Sequence, residues 1–212
     1  MAASGFVRMS GMLIAAVGVL VLIGWATGNV FLKSIHPAFP TMKATTAFCF
    51  ILSGLMLRCF DGLFRRRTWL NEFAIPTLAT IILFIMGLQL LTILVGFSTG
   101  IEGLFFTDTE RTAISPFPGR PSIPTTISFL LIGGVGMMVQ WNTGKRLRQV
   151  LRSMGIPIAG IGAIAMVGFL VDKPLLYYAV ENINNAIALN TAMLFVLIGI
   201  SLVILSSKAY PQ

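Results

Sequence analysis

The sequence predicts an all-α polytopic membrane protein. It reads as a single domain over residues 1–212, with six transmembrane helices forming three repeated hairpins at about 10–60, 73–141 and 155–207, and both termini in the cytoplasm. Composition is the first observation: 56% of the 212 residues are hydrophobic and 10% are charged, against about 25% charged in ordinary soluble domains. Mean hydropathy is +0.90. The second observation is internal repetition. The stretch Thr45 to Gly54, TTAFCFILSG, returns at Thr125 to Gly134 as TTISFLLIGG and at Asn190 to Gly199 as NTAMLFVLIG. The third is the segregation of Lys and Arg into alternate loops. At roughly 20 apolar residues per spanning helix, the length accommodates about six spans and leaves no expected room for a soluble catalytic domain.

The first span is expected from Met12 to Leu32, behind a short tail whose one charge is Arg8. It resembles a secretory leader. Because Gly24-Trp25, Gly96-Phe97 and Gly168-Phe169 recur at a spacing of 72 residues, the segment is expected to be retained as part of the repeat. The other spans are expected at Ala44 to Cys59, Phe73 to Phe97, Pro124 to Trp141, Gly155 to Val171 and Ala186 to Ser206. Each odd helix ends on Gly-aromatic, and each even helix opens on the Thr motif. Repeats of this kind stack with pseudosymmetry. The connection from Gly100 to Ile123 is the longest; Phe105 and Phe106 are expected to dip into the headgroup region.

Orientation follows from basic residues in short loops. Arg58, Arg65, Arg66 and Arg67 follow the second span, and Lys145, Arg146, Arg148 and Arg152 follow the fourth. With Arg8 and Lys208 they place ten basic residues against Asp61 and Glu72 on one side, whereas five bases and five acids balance on the other. The formal charge of +8 is therefore read as a topology signal and a contact with anionic membrane lipids or a partner. Nucleic-acid binding is not expected.

Few residues carry chemistry. His36, the sole histidine, is the one candidate cofactor ligand, axial to haem or chlorophyll; the competing reading is a solvated loop histidine between prolines. Cys49 and Cys59 stand ten residues apart on one helix, about 15 Å, beyond disulfide reach. They form no metal-ligand pattern with His36, so neither a metal site nor an enzyme is expected. Gln89 is the most central polar residue, read as an interhelical hydrogen-bonding group or a ligand contact. Gly24 with Gly28 and Gly96 with Gly100 have the small-residue spacing that lets helices approach, and Gly54, Gly134 and Gly199 lie eight residues into each motif copy. Thr46, Thr126, Asn190 and Thr191 stand at the even-helix starts, where hydroxyls and amides cap backbone N–H groups. The three threonines are expected to line a central seam or a pocket together.

The residues Leu32-Lys33-Ser34, His36-Pro37, Met42-Lys43-Ala44-Thr45-Thr46-Ala47 and Gly54, with Pro124-Thr125-Thr126 and Ala188-Leu189-Asn190-Thr191-Ala192 in the later copies, resemble a known pattern. It is that of the N-terminal membrane region of bacterial sensor histidine kinases, PAS-domain proteins and diguanylate cyclases. The resemblance covers nearly the whole chain. It implies a multi-pass sensory region of the bacterial inner membrane, which in those proteins continues into an output domain; here the sequence stops at Gln212. The expected function is a non-catalytic sensory-type module acting through protein partners. A second expectation is an accessory subunit of a respiratory or photosynthetic complex, contacting partner helices, chlorophyll, carotenoid or quinone. A transporter or channel for a neutral solute is the third.

Overall fold

The computed structural model describes residues 2–65, 69–96, 99–108, 115–141, 144–178 and 184–207. Among them the protein is all helical: α1 Ala2–Thr27, a single turn α2 Val30–Lys33, α3 Ala44–Arg65, α4 Trp69–Val95, α5 Ile123–Trp141, α6 Gly144–Leu170 and α7 Leu189–Ser207, with 3₁₀ turns at Ile101–Gly103 and Pro174–Tyr177. Four stretches, within α1, α4, α6 and α7, are long and apolar enough to cross a membrane. Shorter apolar stretches cover Ala44–Phe60 of α3 and Ile123–Val139 of α5.

Helices α1 and α3, α4 and α5, and α6 and α7 pack as three pairs. Between pairs, α3 packs on α4, α5 on α6, and α7 on α1, so the pairs close into a ring. One helix of each pair, α3, α5 or α7, faces the axis. There Phe50, Phe129 and Phe195 are fully buried and meet in a triangle, with ring centroids 4.8, 5.1 and 5.1 Å apart. Of the four long stretches, the one in α7 is 61% buried within the protein, against 28–33% for those in α1, α4 and α6. The outward faces of these last three carry exposed Leu13, Phe84 and Ile164.

Small residues set the pair spacing. A Cβ placed on Gly11 would lie 2.7 Å from the Gly54 carbonyl oxygen, and one on Gly155 would lie 2.9 Å from that of Gly199. Gly18 stands likewise against the Ala47 carbonyl and Gly162 against that of Ala192. The first and third pairs thus repeat the same backbone approach. In the middle pair Gly133, not Gly134, is the close-approach residue: its Cβ would lie 2.7 Å from Leu83 Cγ, and one on Gly134 would meet nothing within 4 Å. The register of the second motif copy is therefore one residue earlier than the gapless alignment has it. In the corrected register all three copies read Thr-x-x-x-Phe-x-x-x-Gly, at Thr46-Phe50-Gly54, Thr125-Phe129-Gly133 and Thr191-Phe195-Gly199. Residues at i, i+4 and i+8 share one helix face.

Two further expectations change. Gly28, Gly96 and Gly100 are not packing glycines within the chain: a Cβ on each would meet nothing within 4 Å, and they hold left-handed backbone at φ +70°, +81° and +82°, a conformation that favours glycine. Gly24 does pack, against Leu32 Cβ at 2.6 Å. Helix α6 begins at Gly144 rather than Gly155, because Leu147 and Leu151 are buried at i, i+4 spacing while Arg146, Arg148 and Arg152 stay exposed. Phe105 and Phe106 also touch the helices, with ring centroids 4.8 Å from Phe48 and 6.2 Å from Trp25 respectively, and Phe105 remains exposed.

Candidate functional site

Helices α3, α5 and α7 begin at the same end of the ring, where the described stretches 34–43, 99–108, 115–122, 171–178 and 184–188 gather; we call this the loop end. The three helix pairs and their loops are tied to one another there by polar contacts. Lys43, preceding α3, donates from Nζ to Asp108 Oδ2 at 2.7 Å, and both side chains are largely buried. The same Asp108 oxygen accepts from Gly119 N at 2.9 Å. Asn184 accepts the Ile123 N–H at 2.9 Å, capping α5 from another hairpin, and donates to the Tyr178 carbonyl at 3.0 Å. Asn185 accepts from Phe117 N at 2.9 Å and donates to the carbonyls of Phe117 and Arg120 at 2.6 Å each. Asn190 Nδ2 donates to the Lys33 carbonyl at 3.2 Å, and its Oδ1 accepts from Thr191 N at 3.0 Å. Arg120 donates from Nε to Glu102 Oε1 at 3.3 Å.

Inside this girdle lies a small, half-open cavity of about 10 Å³, lined from all three helix pairs. Its walls come in threes: Thr46, Thr125 and Thr191; Met42, Pro121 and Ile187; Lys43, Ser122 and Ala188. The backbone repeats too, since Met42 N donates to the Lys33 carbonyl and Ile187 N to that of Tyr177, both at 2.9 Å. Pro121, at the corresponding place, has no N–H to donate.

Thr46 and Thr191 therefore share a wall with Thr125, and the expectation for Thr126 is corrected. Its hydroxyl bonds the Ser122 carbonyl at 3.2 Å outside the cavity, whereas Thr125 Oγ1 pairs with Ser122 Oγ at 2.7 Å. Gln89 is fully buried in α4, and neither of its amide atoms has a partner among the described residues; it lies away from this cavity. His36 is exposed; its Nδ1 accepts the Ala38 N–H at 3.2 Å and its ring stands 5.5 Å from that of Phe39. Arg65 ends α3, and Arg66 and Arg67 fall outside the described residues. Cys49 and Cys59 are free thiols. Among the described residues no group of three or more His, Cys, Asp or Glu could hold a metal ion.

Sequence reasoning missed Lys43 with Asp108, the Asn184–Asn185 pair and the Phe triangle. The three Phe residues were within reach, each four residues after a Thr and four before a Gly. The ties of Asp108, Asn184 and Asn185 join groups 61 to 68 residues apart in the chain, for which no local pattern exists.

Asn185 carries the heaviest share of the girdle. Asn185→Ala is expected to leave a buried N–H and two carbonyls without their partners and to destabilise the fold by about 2–3 kcal/mol. Thermal unfolding in detergent would read this directly, with faster cleavage of the 97–122 connection by protease as a second readout.

The fold and the girdle together define a helical protein with four helices long and apolar enough to span a bilayer, closed at one end by interlocked polar loops. No family model, curated protein or solved structure matches the chain.

Proposed function

We propose that the chain is a non-catalytic sensory-type module of the bacterial inner membrane, spanning it six times as three hairpins with cytoplasmic termini and acting through protein partners. The observation that carries this reading is the girdle itself: every hairpin is bonded to both neighbours at the loop end. A displacement of one loop by a stimulus is thereby shared among all three hairpins. Rigid helices carry it to the opposite end, where the exposed Arg146, Arg148 and Arg152 of α6 stand free to meet a partner or anionic lipid. The resemblance of the Thr and Leu-Lys-Ser motifs to sensor membrane regions supports the same function.

A second reading, an accessory subunit of a respiratory or photosynthetic complex, is favoured by one feature. A groove of about 510 Å³ runs along α7 between Leu13 and Val17 of α1 and Met166 of α6, with a wall that is almost wholly apolar. It has the chemistry for a quinone or carotenoid tail, or a partner helix. Transport of a solute along the axis is disfavoured by the Phe50, Phe129 and Phe195 triangle, which closes the axis below the cavity.

Purification from native membranes in mild detergent, with mass spectrometry of co-migrating proteins and an absorption spectrum, tests the proposal. The expected result is a signalling kinase or cyclase at stoichiometric yield and no pigment band. Stoichiometric recovery of an electron-transfer complex would replace the sensory reading with the subunit reading.

A further inference from the structure

We infer that the cavity at the loop end is a binding site for one small monovalent anion of the halide class. Three helix N-termini, those of α3, α5 and α7, contribute its walls, and each brings roughly half a positive charge. Lys43 and Arg120 also line it, their countercharges Asp108 and Glu102 standing outside the wall, so among the described residues no carboxylate lines the space. Asn184, Ser122 and Asn190 accept single N–H groups at the starts of α5 and α7, but these neutral acceptors bring no countercharge to the helix ends.

The donors are in place as well. Thr46 and Thr191 are each 2% exposed and line the cavity, and among the described residues neither hydroxyl has a hydrogen-bond partner. The neighbouring Thr45 hydroxyl is buried without a partner on the same turn of α3. Contrast Thr125 and Thr126, whose hydroxyls are satisfied by Ser122. Two unpaired hydroxyls on a positively polarised wall suit an acceptor-only guest. The volume of about 10 Å³ is about that of one water-sized particle, which favours a monatomic ion seated at the half-open mouth over phosphate or a carboxylate-bearing metabolite. The inference does not rest on the sensory reading.

The test is the unfolding midpoint of the full-length protein in detergent, titrated with sodium chloride or bromide against sodium gluconate at equal ionic strength. Halide is expected to raise the midpoint saturably, by roughly 5 °C at one hundred times its dissociation constant, and gluconate is not. Thr46→Val with Thr191→Val should abolish the shift, whereas Thr126→Val should keep it. Equal behaviour of halide and gluconate would mean that water fills the cavity, and a shift surviving the double variant would mean a site elsewhere; either overturns the inference. Should the double variant fail to fold, anomalous scattering from bromide-grown wild-type crystals decides: a peak between Thr46 and Thr191 supports the site, and its absence refutes it.

Discussion

Gly54→Leu or Gly199→Leu is expected to abolish recovery of monodisperse folded protein, a loss exceeding about 3 kcal/mol. A Cβ on Gly54 would meet the Gly11 carbonyl and lie 2.8 Å from Ala15 N, and one on Gly199 would lie 2.6 Å from Ala159 N. The obstacles are backbone atoms, so no rotamer change relieves them; the paired helices must separate. Gly133 faces mainly a side chain instead, Leu83 Cγ at 2.7 Å, with the nearest backbone atom, the Ala79 carbonyl oxygen, at 3.3 Å, so Gly133→Ala should be milder than Gly54→Ala or Gly199→Ala. Gly134→Ala meets nothing within 4 Å and should be neutral or gain up to about 1 kcal/mol of helix propensity. Size-exclusion profiles and detergent melting curves would order the four alanine variants. A Gly134→Ala as harmful as Gly54→Ala would sink the corrected register.

Alanine in place of Phe50, Phe129 or Phe195 should cost about 3–5 kcal/mol each. All three rings are fully buried and each touches the other two, so removing one leaves a cavity at the point where α3, α5 and α7 meet. The losses should not add. Once one ring is gone the other two can shift into its space, and the double variants should fall short of the sum by about 0.5–3 kcal/mol. A Phe84→Ala control, on an exposed outward face, should change little. Additive losses across the triangle would show that the rings contribute independently and that the axis is not a shared contact.

Helix content and the four long apolar stretches were legible in the sequence, because each depends on local pattern. The register of the second copy was not. Thr125-Thr126 offers two threonines to an alignment that begins on Thr45-Thr46, and only the Phe and Gly positions, read as one helix face, break the tie. The start of α6 was hidden by its charges: Lys145, Arg146, Arg148 and Arg152 read as a loop until Leu147 and Leu151 are seen as its buried stripe. Glycine spacing misled where the chain turns, since at Gly28, Gly96 and Gly100 the residue answers a positive φ rather than a neighbouring helix. Of the site, the threonines were foreseen in kind, and the buried Lys43–Asp108 pair was not, as its partners are 65 residues apart.

Pro121 gives the threefold a seam in time. The first and third sectors each close their own loop end through an N–H, Met42 to Lys33 and Ile187 to Tyr177, and the second sector lacks that donor. Its helix cap and its 117–120 turn are instead held by Asn184 and Asn185, which leave the ribosome more than sixty residues later. Since synthesis runs from the N-terminus, α5 is made before the two residues that hold its start. The segment 184–190 is the keystone, holding the second sector through Asn184 and Asn185 and the first through Asn190.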